Sequence, residues 1–268
     1  MPLVAVSNGL QLRYLVRPFG VRLAPREWYG LAIITSFYNT LTPFRGGMLA
    51  KAAYLHRRHR LPLSGFLALT AGTSIVNLCV AGVAGLAGLG LIAARRGPTS
   101  WPLAAFFGVA ALGATAVMVF TPRLPASEQP LLARLGRVAA GWQLIRGNTA
   151  VLGMTWLATG LQYALAALAT VYSFRLIGVA AGADTCLVLA SLTSFSALVA
   201  ITPAGLGVTE AVAVFAGLAL GITPAQSLTA AVARRLATTG IILLLGPLYT
   251  YSLLREERRG GPDAEEKP

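Results

Sequence analysis

The chain has 268 residues, 56% of them hydrophobic and only 12% charged, with a mean hydropathy of +0.68. A soluble domain is about 45–50% apolar and about 25% charged, so one aqueous core of this size cannot hide the apolar surface, and a disordered chain or an acidic binding module is excluded. A net charge of +13 would suggest nucleic acid in a soluble protein, but here the basic residues sit between apolar stretches, as in cytoplasmic loops of a membrane protein, and no nucleic-acid partner is expected.

Residues 1–27 read as a polar, basic N-terminal segment carrying Arg13, Arg17, Arg22 and Arg26, without the apolar stretch and cleavage site of a signal peptide. Residues 28–41 are apolar but short for a full crossing, and they stop at Thr42-Pro43-Phe44-Arg45-Gly46-Gly47. A basic cluster, His56-Arg57-Arg58-His59-Arg60, precedes a long apolar run from Pro62 to Ala94, which Arg95 and Arg96 end. Residues 101–120 give a clean span.

In the polar connection 121–147, Leu131, Leu132, Leu135, Val138, Ala139 and Trp142 recur at helical spacing. This is either a basic amphipathic helix on the membrane surface or a solvated connector helix. Residues 149–172 span again. A further apolar segment starts at Asp184, breaks at Thr202-Pro203-Ala204-Gly205-Leu206-Gly207 and continues to Ile222. The last span starts near Pro224, contains Arg234 and Arg235, and ends near Leu254, before a charged tail at 255–268. Cys79 and Cys186 lie inside apolar runs and read as small buried hydrophobes.

The expected fold is all-α: a polytopic helical membrane protein with about six transmembrane or re-entrant segments in one domain over residues 28–254. The basic stretches 1–27, 45–60, 121–147 and 255–259 place both termini in the cytoplasm, in a bacterial or archaeal cytoplasmic membrane. Arg95 and Arg96 are the one exception to that charge rule.

The two interruptions resemble each other. Thr42-Pro43 and Thr202-Pro203 stand 160 residues apart, as do Gly47 and Gly207, and Ser36 and Ser196. Three crossings between them predict an inverted repeat, with first half-motif 36–54 and second half-motif 194–214. Paired Pro/Gly-interrupted segments in two halves point to a transporter's substrate site, because irregular backbone at membrane depth must line protein or a wet cavity. Costly charges lie near these breaks: Lys51, Glu210, Arg234 and Arg235. Glu210 has two readings, partner of a cation or cap of a half-helix, and its cation is Lys51, Arg234 or Arg235. Lys51 is either in that site or an interfacial lysine reaching toward the head groups.

These residues resemble a family, the transmembrane region of lysylphosphatidylglycerol synthases and their stand-alone flippase-like relatives. The resemblance rests on YNTLTPFRGGMLAKAAYL from Tyr38, ITPAGLGVTEAVAVF from Ile201 and AVARRL from Ala231. Asn39, Pro43, Gly46 and Gly47 fit the family's first motif, but Met48 stands where an Asp is usual and Lys51 replaces an Arg. Val76-Asn77 replaces a Glu-Arg pair, and one or two upstream helices are expected to be missing. The resemblance implies translocation of lipid or lipid-linked head groups between leaflets.

The site is therefore expected at Asn39, Arg45, Gly46, Gly47, Lys51, Thr202, Pro203, Gly205, Gly207, Glu210, Arg234 and Arg235, binding an anionic phospholipid or lipid-linked sugar, with half-helix N-termini adding positive ends toward a phosphate. No catalytic residue, metal ligand or cofactor is expected. The chain offers no Ser/His/Asp set, Walker loop or HExxH, and His56 and His59 sit in a basic loop with no nearby acid. The alternative is a non-transporting subunit or scaffold for a membrane enzyme, for which Gly82, Gly85 and Gly88 offer a small-residue packing face.

Overall fold

The structure, a computed structural model, describes residues 2–97, 100–120, 139–199 and 202–259. Within a bilayer a chain must satisfy its backbone internally, and the described residues answer with helices alone. They are α1 (Pro2–Leu15), α2 (Pro25–Leu41), α3 (Gly46–His59), α4 (Leu63–Arg96), α5 (Trp101–Val119), α6 (139–146), α7 (Thr149–Leu176), α8 (Ala183–Val199), α9 (Val208–Ala219) and α10 (Pro224–Arg259). Four of them, α4, α5, α7 and α10, are long and apolar enough to cross a membrane.

Local chemistry sets the ends. Pro25 opens α2 at a position whose N–H has no helical partner, and Glu27 reaches back to accept from Ala24 N at 2.8 Å. Asn148 caps α7, its Oδ1 accepting from Val151 N at 3.1 Å. In α5 only Phe107, Ala111 and Ala114 are buried, which leaves an apolar surface for lipid on every other side.

Two stretches of the chain repeat one pattern. Helix α2, a three-residue turn Pro43–Arg45, α3 and the long α4 match α8, the turn Pro203–Gly205, α9 and the long α10. The paired lengths are 17 and 17, 14 and 12, and 34 and 36 residues. The packing is reciprocal: α2 lies on α10, and α8 lies on α4. The relation is incomplete in one place. Helix α9 lies along α10, with Gly217 against Ser227, whereas α3 makes little contact with α4.

Three expectations change. Residues 1–27 do not form a polar lead-in: α1 lies against α2 and α7, where Ser7 Oγ donates to Ala158 O at 2.8 Å and Gln11 Nε2 to Thr159 Oγ1 at 3.0 Å. Its polar residues serve another helix, so it reads as polar in sequence and supplies a helix upstream of the first motif. Most of the expected helix at 121–147 falls outside the described residues. In its described end, α6, Trp142 and Ile145 are buried, the former against Gly72 of α4, while Ala140, Leu144 and Arg146 are exposed, so one face of this part packs on the protein itself. His56 and His59 lie on α3, and His59 Nε2 stands 3.4 Å from Glu27 Oε1, so an acid is near in space though not in sequence.

Candidate functional site

Each break is built the same way. A threonine in extended conformation precedes proline, as the proline ring requires of its neighbour: Thr42 (φ −113°, ψ 144°) and Thr202 (φ −78°, ψ 154°). The chain then turns through left-handed backbone, at Gly205 (φ 66°) in the second break but at Phe44 (φ 53°) and Arg45 (φ 57°) in the first. A left-handed non-glycine residue costs about 1–2 kcal/mol, and such strain gathers at functional sites. Gly46 and Gly47 start α3 where a side chain would strike Thr42 and the Thr35 carbonyl, and Asn39 Oδ1, buried and without a hydrogen-bond partner among the described residues, lies over Gly47. The two turns touch each other, and the second also touches α2.

Glu210 holds the second break. Its Oε2 accepts from Gly207 N at 2.9 Å, and its Oε1 lies 2.6 Å from Arg235 Nε; Arg235 also reaches Gly205 O at 3.5 Å. Both readings of Glu210, cap and ion-pair partner, are therefore realised, and the cation is Arg235. Lys51, one of the three cations expected for this role, does not take it, since Arg235 occupies the carboxylate from a neighbouring helix. Thr202 Oγ1 donates to Leu206 O at 2.8 Å, closing the turn from within.

Beside the breaks lies a half-open cavity of about 580 Å³. It is lined from α1, α4, α7, α8 and α10, with Thr35 of α2, Arg45 of the first turn, and Met48 and Lys51 of α3. Its charged lining is Arg45, Lys51 and Arg234, each half-buried. One wall is polar: Thr70, Thr73, Ser74 and Asn77 recur at helical spacing on α4, facing Gln11, Gln162 and Ser194. The rest is apolar, including Leu12, Phe66, Leu69 and Phe195. Arg234 also lines a much smaller void of about 20 Å³ between α7, α8, α9 and α10.

Of the twelve expected site residues, the structure brings Arg45, Lys51 and Arg234 into this cavity. Asn39, Gly46, Gly47, Thr202, Pro203, Gly205, Gly207, Glu210 and Arg235 build and brace the breaks beside it and do not line it. Sequence reasoning missed the α1 lining and the hydroxyl and amide stripe of α4. The stripe was visible as polar residues three and four apart inside an apolar run. A chamber with clustered cations, hydroxyls and an apolar wall suits an amphiphile with an anionic head.

The glycines Gly82, Gly85 and Gly88 are used inside the chain: the first two lie against Ala111 and Phe107 of α5, the third against Val188 of α8. Cys79 and Cys186 are both free and buried. No curated protein and no solved structure matches the chain. A family model described as the lysylphosphatidylglycerol synthase TM region matches residues 1–246, from the buried α1 through both breaks and most of α10. The chain is a membrane-embedded, all-α protein that belongs to the lysylphosphatidylglycerol synthase TM-region family.

Proposed function

We propose that this protein translocates an anionic phospholipid or lipid-linked head group between the leaflets of a cell membrane, without catalysing a covalent step. The observation that carries the reading is the cavity whose lining includes Arg45, Lys51 and Arg234 together with an apolar wall. Charge is expensive at membrane depth and is kept where it serves a pathway or a ligand. The duplicated helix–turn–helix pattern and its reciprocal packing support an inverted repeat with the site at its centre. On that reading the basic stretch 45–60 and the tail lie in the cytoplasm. The glycine series that would speak for a scaffold already has partners within the chain.

The test is reconstitution in liposomes with a fluorescent acidic phospholipid and a membrane-impermeant quencher added outside. Protein-dependent loss of the inner-leaflet signal is expected. No movement above protein-free vesicles, with folded protein recovered from them, overturns the proposal.

A further inference from the structure

Resting on the reading of the cavity as a lipid head-group site, we infer that it selects heads bearing two or more negative charges, a terminal phosphate or diphosphate, and rejects aminoacylated heads that bring an ammonium. Among the described residues the cavity lining holds Arg45, Lys51 and Arg234 and no acid. Among the described residues none of the three makes a salt bridge; Glu210 lies near enough to act on the Arg234 charge, but its direct contact is with Arg235. Met48, an uncharged side chain, lines the cavity between Arg45 and Lys51 in the chain. Arg45 precedes α3 as its N-cap and Met48 lies in the first turn of α3, and this helix start has no side-chain cap, whereas Glu210 caps the start of α9.

Like charges lining one cavity repel, and a bound anion relieves that repulsion. A phosphodiester brings one negative charge. A phosphate monoester brings about 1.5 to 2 and three acceptor oxygens. A lysyl ester of phosphatidylglycerol sets two ammonium groups against one phosphate and arrives as a net cation, with no carboxylate here to receive it. The apolar wall, with Phe66, Leu69 and Phe195, binds the chains and separates a lipid from free phosphate.

The experiment is displacement of a fluorescent phosphatidic acid from the purified full chain in zwitterionic micelles. Competitors are phosphatidic acid, phosphatidylglycerol, lysylphosphatidylglycerol and inorganic pyrophosphate. Phosphatidic acid is expected to displace at a mole fraction at least about tenfold lower than phosphatidylglycerol, the effect of one charge-assisted hydrogen bond. Lysylphosphatidylglycerol and pyrophosphate are expected to fail. Met48→Asp should shrink the preference and let lysylphosphatidylglycerol compete. Lys51→Gln should abolish it and Lys51→Arg restore it, with thermal unfolding confirming that each variant folds. Equal displacement by phosphatidylglycerol or lysylphosphatidylglycerol, or a preference untouched by Lys51→Gln, overturns the inference; displacement by pyrophosphate overturns its lipid component. If the preference holds and no lipid crosses the bilayer, translocation fails and this selectivity stands. Movement without preference has the reverse meaning.

Discussion

Arg235 Nε stands 2.6 Å from Glu210 Oε1 while the other oxygen of that carboxylate accepts the Gly207 N–H, so one acid ties α10, the start of α9 and the second break together. Adjacent residues on a helix point about 100° apart, and the two neighbouring arginines accordingly part company. Arg235 braces the break, and Arg234 turns to the cavity.

Removing one member of that pair leaves the other charge uncompensated where both side chains are mostly buried, at 18% and 13% exposure. Glu210→Gln and Arg235→Gln should each cost roughly 3 kcal/mol, the scale for breaking a buried ion pair from one side. The double variant should recover part of the loss. Chemical unfolding in detergent, arranged as a double-mutant cycle, reads this coupling; additive losses would show that the pair is not coupled.

Arg45 occupies left-handed backbone where the second break has Gly205. Arg45→Gly should therefore gain about 1 kcal/mol of stability by relieving strain, less the added freedom of glycine in the unfolded chain. It should weaken displacement of an acidic lipid at the same time. Thermal unfolding paired with the displacement measurement checks both; a variant that loses stability removes the argument that the turn is strained for the sake of the guanidinium.

Much of the fold was legible in the sequence because a bilayer permits few solutions. The apolar run 62–94 became Leu63–Arg96, and residues 101–120 became Trp101–Val119. The breaks were legible because Thr-Pro and paired glycines interrupt helices by known sterics. Helix α1 was hidden because Ser7 and Gln11 interrupt its apolar pattern, and their partners lie some 150 residues away on α7. The partner of Glu210 could not be read, since Lys51, Arg234 and Arg235 are all available along the chain and only tertiary packing chooses. The polar stripe of α4 passed unnoticed because four small polar residues scarcely alter the hydropathy of so long a run.

The α1–α7 seam predicts that Gln11→Leu removes the donor to Thr159 Oγ1, which keeps its own bond to Thr155 O at 2.7 Å, and takes from the Gln162 amide its acceptor, Gln11 Oε1 at 3.3 Å. A loss of about 1–3 kcal/mol is expected, with faster proteolysis within α1. Unfolding curves and limited digestion check it; an unchanged digestion pattern would mean that α1 is held by apolar packing alone.

Gly85 lies against the Phe107 ring, and Gly90 faces open space within the same helix. Gly85→Leu should destabilise the isolated protein by about 1–3 kcal/mol through overpacking. Gly90→Ala should be neutral or stabilising by up to about 1 kcal/mol. Unfolding of the purified chain distinguishes this internal seam from a partner interface, at which Gly85→Leu would leave the isolated protein unaffected.

The central claim is that an acidic head group crosses the membrane by way of the cations in the cavity. Its most direct test compares translocation of a fluorescent phosphatidic acid by the natural chain and by the Lys51→Gln/Arg234→Gln variant in the same liposomes, with thermal unfolding confirming that both are folded. Rapid protein-dependent movement is expected for the natural chain and a rate at least about tenfold lower for the variant, since charge-assisted contacts are worth roughly 1.5–3 kcal/mol each. Equal rates for the two proteins would contradict it.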